Sequence, residues 1–252
     1  MSFDVAAEAY DSFMGRYSQP LAALFLESAH LPREGRALDV GCGPGALIEQ
    51  LAARFGETEV AGVDPSESFV AAAAARHPWA DIRHGVAENL PFDDDAFDAT
   101  LAELVVHFMT DAATGVREMV RVTRPGGVVA ACVWDFAGGR APQSLFFAAL
   151  GSVVAGIDDE SHRVGARSGD LGTLLRDAGC TAVEESELTV ESAYPTFDEW
   201  WATYTFGVGP AGAQLAALPD LERDEVMARC RDQLPDAPFT ITATAWTARG
   251  EV

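Results

Sequence analysis

Apolar and polar positions change period along this chain in a regular order. Short runs rich in valine sit at "RALDVG", "EVAGVD" and "DIRHGVA", and between them "ALIEQLAARFG" and "SESFVAAAAARH" carry alanine and leucine at helical spacing. The alternation continues through "AFDATLAELVV", the helical "DAATGVREMVRVT", the turn "RPGG" and the strand "VVAACVW". Strands alternating with helices predict parallel strands joined by crossovers, and five are complete by Trp134. Right-handed crossovers place the first two on either side of a switch point, where open α/β sheets bind ligands at the carboxyl ends of their strands.

After Trp134 the period changes. The pattern predicts helices over Pro142–Val154 and Asp170–Ala178, a strand over Ala182–Val190, an aromatic stretch "FDEWWATYTF", a helix over Asp220–Gln233 and a last strand "FTITATAWTA". The final two strands read as an antiparallel addition at one edge, with helical chain inserted between them. "GVGPAG" (Gly207–Gly212) reads as a loop.

Composition narrows the chemistry. The chain has 252 residues, 39 acidic and 17 basic, and all of the basic ones are arginine. Without lysine there is no Walker phosphate loop and no Schiff-base chemistry. A net charge of −22 repels a phosphate backbone, so no nucleic-acid partner is expected. Cys42, Cys132, Cys180 and Cys230 lie far apart, with no paired spacing and no histidines at ligand spacing, which predicts reduced thiols in a cytoplasmic protein and no metal site. The longest uncharged run, Ala141–Ile157, falls short of the roughly 20 apolar residues of a membrane span. The expected state is a monomer or homodimer.

Chemistry concentrates at "ALDVGCGPGAL" (Ala37–Leu47), where a strand runs into Gly41, Gly43 and Gly45 and then into a helix. Such glycines let a ligand press against main chain. The spacing also satisfies a dinucleotide fingerprint, so an NAD-dependent oxidoreductase is one candidate. Asp64 closes the second strand where a carboxylate accepts ribose hydroxyls, which both candidate ligands have. Asp39, two residues before the first glycine, suits the ammonium of S-adenosylmethionine (SAM) and would repel a pyrophosphate.

Together these segments resemble a class I SAM-dependent methyltransferase, more narrowly the small-molecule group of the ubiquinone/menaquinone-biosynthesis enzymes (methyltransferase type 11). The likeness covers roughly the first half of the chain: "LDVGCGPGAL", "VAGVDPSESFV", "GVAENLPFDDDAFDAT" and "EMVRVTRPGGVV". It implies a doubly wound, mostly parallel α/β sheet of order 3-2-1-4-5-7-6 with the last strand antiparallel. It also implies one domain over 1–252: an N-terminal helical lid (1–30), a cofactor core (36–134), and acceptor-side insertions with the last two strands (135–252). By the same resemblance Gly41, Cys42, Gly43 and Gly45 meet the methionine moiety. Asp64, with Pro65 and Ser66, meets the ribose, Ala87 and Glu88 the adenine, and Glu103, Leu104 and Val105 the wall beside the methyl group. "YDSFMGRYS" resembles a segment that folds over the cofactor, making Tyr10, Arg16 and Tyr17 candidates to face it.

The reading is methyl transfer from SAM to a small apolar or aromatic molecule, with a SAM-binding protein without catalysis as the other alternative. His107, just past the fourth strand, is the one histidine placed to act as a base, titrating near 6.5 if unperturbed. Phe146, Phe147, Trp200, Trp201, Tyr204 and Phe206 lie in the segments expected to wall the acceptor.

Overall fold

Strands with apolar residues on both faces need helices on both faces, and the chain supplies them in sequence order. The computed structural model describes residues 7–252. Its elements are α1 (Ala7–Tyr10), a π turn (Asp11–Gly15), α2 (Arg16–Ser28), β1 (Ala37–Val40), α3 (Ala46–Phe55), β2 (Val60–Asp64), α4 (Glu67–Arg76), β3 (Asp81–His84), β4 (Phe97–Glu103), α5 (Ala112–Val122), β5 (Thr123–Trp134), α6 (Ser144–Val153), α7 (Asp170–Asp177), β6 (Thr181–Tyr194), α8 (Phe197–Thr205), α9 (Gly209–Ala217), α10 (Asp220–Gln233) and β7 (Phe239–Glu251), with short 3-10 turns between some of them.

Seven strands form one sheet in the order β3-β2-β1-β4-β5-β7-β6. The first five neighbours pair parallel, while β7 runs antiparallel to both β5 and β6. Side chains alternate between two apolar layers. Ala130, Cys132 and Trp134 point into a core with Tyr17, Leu21, Phe25 and Ile48, whereas Val129, Ala131 and Val133 meet Val116, Met119, Leu171 and Leu175 on the other side. Caps set several helix starts: Ser66 accepts from the Phe69 N–H, Asp111 from Thr114 and Thr196 from Glu199.

Three segments differ from the sequence pattern. "RPGG" does not end the connection before β5 but rides within it: Phe97 pairs with Thr123 and Ala99 with Val128, so Arg124–Gly127 form an extended bulge. "GVGPAG" is a loop only at its start, because Pro210 sits in the first turn of α9, where its missing N–H costs nothing. Of the aromatic residues expected to wall the acceptor, four pack as core, with Phe146 stacked on Tyr204 at 4.4 Å, Trp200 edge-on to Tyr204 at 4.9 Å and Phe147 buried beside Phe146, while Trp201 is half-buried and Phe206 exposed. Six residues of the expected lid, 1–6, lie outside the described residues.

Candidate active site

The carboxyl ends of β1, β2 and β4 bring three acids together. Asp39 lies in β1, Asp64 ends β2 and Glu103 ends β4. Between them the loop Gly41–Gly45 is tied down by its backbone: the Gly41 and Cys42 N–H groups donate to the Val63 carbonyl at 2.7 and 3.0 Å, and Gly45 donates to Cys42 at 2.9 Å. The Asp64 carboxylate braces the same loop, accepting from the Gly43 N–H at 2.9 Å and the Ser66 N–H at 2.8 Å. Each of its oxygens keeps a further lone pair, and Asp64 lines the cleft.

Gly41 and Gly43 serve different ends. A Cβ on Gly41 would meet Val105 Cγ2 at 2.4 Å, so that glycine lets the loop lie against the strand-end segment. At Gly43 a Cβ would meet nothing within 4 Å, because the residue faces open cleft. Two cavities flank it. One of about 580 Å³ is lined by Asp39, Cys42, Gly45, Arg76 and His77; the other, of about 700 Å³, by Asp64, Pro65, Ser66, Ala87, Glu88 and Met109. Gly41, Gly43, Glu103, Leu104 and Tyr10 line both, so the two are lobes of one cleft. Their sizes suit a cofactor.

Electrostatically the cleft calls for a cation. Asp39 Oδ2 and Glu103 Oε1 are buried without a hydrogen-bond partner among the described residues. Burial first, then the neighbouring acid (Asp64 for Asp39, Asp39 for Glu103), holds both carboxyls well above the usual range. Burial also raises Asp64, against the two backbone N–H bonds that favour its charge. A bound ammonium or sulfonium would ionise these groups and satisfy them.

Tyr10 divides the lobes, its ring edge-on to Phe69 at 5.3 Å, and Asp11 beside it pairs with Arg76. Glu88 lines the wider lobe while its Oε1 accepts from the Thr110 and Asp111 N–H groups. Arg16 and Tyr17 are corrected: neither lines the cleft. Tyr17 is core, its hydroxyl 3.0 Å from that of Tyr194, and Arg16 lies over the Tyr194 ring and donates to the Ala193 carbonyl. The cause is the π turn, which puts Tyr10 and Tyr17 on different faces although seven residues apart they would share one face of a continuous α-helix.

Next to the cleft a small cavity of about 40 Å³ shares Tyr10 and Leu104 with it and holds His107 together with Phe13, Phe136, Gln143 and Glu160. His107 is buried, and its pKa is pushed down to about 3 by burial and then by the Arg163 charge, so it does not titrate near 6.5 as the sequence suggests. Glu160, whose Oε2 lies 3.8 Å from His107 Nε2, is raised to about 7 by burial. Sequence reasoning passed over Glu160, Gln143, Phe69 and Arg76. Glu160 in "DDESHR" has the look of any solvated acidic loop in a chain with 39 acids.

Over residues 38–131 the chain matches the family described as a methyltransferase domain. It is 32% identical over 169 residues to demethylmenaquinone methyltransferase of Roseiflexus castenholzii, a match that covers 60% of this chain and 70% of that protein. It is 30% identical over 185 residues to malonyl-acyl-carrier-protein O-methyltransferase of Halorhodospira halophila, covering 71% of this chain and 59% of that one. The chain spans about half the length of the first curated relatives it matches. Among solved structures, the YcgJ protein of Bacillus subtilis superposes with a TM-score of 0.60 at 21% identity, covering 93% of this chain and 97% of that one, a likeness of fold. Between the two ligands that the glycine loop left open, these relatives decide: the chain belongs to the SAM-dependent methyltransferases, in the type 11 group of the demethylmenaquinone enzymes.

Proposed function

We propose that the protein transfers the methyl group of SAM to a small molecule with an apolar or aromatic body, residues 36–134 holding the cofactor and the flanking segments forming the acceptor side. The observation that carries this reading is the pair of buried carboxylate oxygens without a hydrogen-bond partner among the described residues, Asp39 Oδ2 and Glu103 Oε1, beside the open face of Gly43. They fit a ligand with an ammonium and a sulfonium. Asp64 would hold the ribose hydroxyls, Ala87 and Met109 would flank the adenine, and Leu104 and Tyr10 would bound the methyl. When bound, SAM supplies an electrophilic methyl. The chain's own task is to align a nucleophile with it and keep water out, and orientation of that kind is worth roughly 7 to 11 kcal/mol of barrier. Leu104, held at φ 59, places an apolar wall at the junction of the cleft and the small cavity.

Two measurements test this. Calorimetry should detect binding of SAM and of S-adenosylhomocysteine, and a screen of phenols, quinones, amines and carboxylates should yield S-adenosylhomocysteine with at least one of them. Binding without turnover across the screen would make the protein a SAM-binding module instead. Asp64→Ala is expected to weaken both ligands about 10- to 100-fold, since a charged acceptor is lost and the Gly43 N–H loses its brace. Wild-type affinity in a folded variant would take Asp64 out of the site.

A further inference from the structure

The small cavity holds an unusual number of dissatisfied atoms. His107 Nδ1, Gln143 Oε1 and Glu160 Oε2 all line it, all are buried, and none has a hydrogen-bond partner among the described residues. They come from three separate segments: the turn after β4, the residue before α6, and the loop between α6 and α7. Buried polar atoms are normally hydrogen-bonded, so three that are not, converging on one cavity, mark a place where a polar ligand completes the bonding, although Glu160 Oε2 has the Arg163 guanidinium as a charged neighbour at 3.4 Å. Glu160 is 1% exposed and sits at φ 64, and Leu104 on the same cavity sits at φ 59. Left-handed backbone at a non-glycine residue costs energy and collects at working sites.

We propose that Glu160, with His107 and Gln143, forms the polar end of the methyl-acceptor subsite, and that Glu160 takes the proton of an acceptor hydroxyl carried on an aromatic ring. This rests on the methyl-transfer reading above. The walls suit the ring: Phe108 and Phe136 line the same cavity. Its volume, about 40 Å³, takes a hydroxyl and little more, so the ring displaces the side chains of the π turn and of the start of α9 that now bound it. In the proton step the acceptor's O–H bond breaks, the proton passes to Glu160 Oε2, and the electron pair stays on the oxygen, which becomes the nucleophile.

Charge favours Glu160 over His107 in that role. Arg163 Nη1 lies 3.4 Å from Glu160 Oε2, and Arg163 also pairs with Asp158 at 2.6 Å and lies over the Phe108 ring. Burial dominates in pushing the Glu160 pKa up, Arg163 pulls it down, and Asp158 and Asp159 add to the rise. A base poised near neutrality is the effective one, and His107 stays neutral there as a positioning residue that can share a hydrogen bond with the hydroxyl.

The test compares 4-nitrophenol with nitrobenzene, which has the ring but lacks the hydroxyl, binding to the full chain saturated with S-adenosylhomocysteine. Wild type should prefer the phenol at least 10-fold. Glu160→Gln should erase most of that preference while leaving nitrobenzene and S-adenosylhomocysteine affinities unchanged, and Gln143→Leu should reduce it about threefold to tenfold by removing one acceptor. Equal binding of the two probes by wild type overturns the proposal, as does an undiminished preference in Glu160→Gln. Should Glu160→Gln not fold, an undiminished preference in Gln143→Leu overturns it. Failure of S-adenosylhomocysteine to bind at all overturns the methyl-transfer reading, and this proposal with it.

Discussion

Gly43→Val is expected to remove detectable binding of SAM and S-adenosylhomocysteine while lowering the thermal midpoint by only about 2–8 °C. The two effects separate because of what surrounds this glycine. Its φ of +51 is one that a β-branched residue adopts only under strain, about 1–2 kcal/mol. Yet a Cβ there meets no protein atom within 4 Å, so the fold has nothing to repack. The valine methyls instead enter the space between the two lobes, where the ligand must lie against main chain. Gly43→Ala carries comparable backbone strain with a smaller side chain and should retain weakened binding. Gly41→Ala should fail differently, by unfolding, since its Cβ would meet Val105 at 2.4 Å. Calorimetry beside thermal melts distinguishes these outcomes, and wild-type affinity in Gly43→Val would mean that the loop does not seat the cofactor.

A second large effect is hidden in the wild type and should surface in single variants. The folded pKa of His107 is depressed from 6.5 to about 3, so its contribution to stability is complete above about 6.5 and is lost as pH falls toward 3. Glu160 is raised from 4.5 to about 7, so its contribution is complete below about 4.5 and is lost as pH rises toward 7. Between those limits the unfolded chain keeps the proton on the histidine and the folded chain keeps it on the glutamate. The number bound is the same, and the slopes cancel. His107→Gln should leave the Glu160 slope alone, with stability falling by about 3 kcal/mol from pH 4.5 to 7. Glu160→Gln should leave the His107 slope, with stability rising by up to about 5 kcal/mol from pH 3 to 6.5. Urea denaturation at a series of pH values reads both. Two variants with the same pH dependence would show that these groups do not carry opposite shifts.

Features written in neighbouring residues were legible from the sequence. A glycine loop after "ALDV" and an acid closing "VAGVD" are local signals, and the parallel pairing of β1 to β5 follows from the alternation of periods, while their order in the sheet came from the family resemblance. What depends on distant partners was not legible. Phe146 and Tyr204 have the composition of a binding wall, but the stacking between them that makes them core joins α6 to α8. Glu160 acquires its character only by being buried beside His107, fifty-three positions earlier in the numbering. The helix over Gly209–Ala217 was obscured by the glycines and proline at its start, which signal a turn unless the chain beyond them is packed.

The π turn at Asp11–Gly15 makes helical winding, more than side-chain identity, the variable that controls the front of the cleft. One residue of α-helix amounts to a rotation of about 100°. Rewinding the turn as α-helix with no residue lost would let α1 and α2 run on in a single phase and carry Tyr10 around toward the face that Tyr17 now presents to Tyr194. Phe69 would lose its partner ring, and the two lobes would lose the side chain that separates them. The winding of this turn acts as a rotary adjustment, able to exchange the group over the cleft without altering the sheet or the glycine loop beneath it.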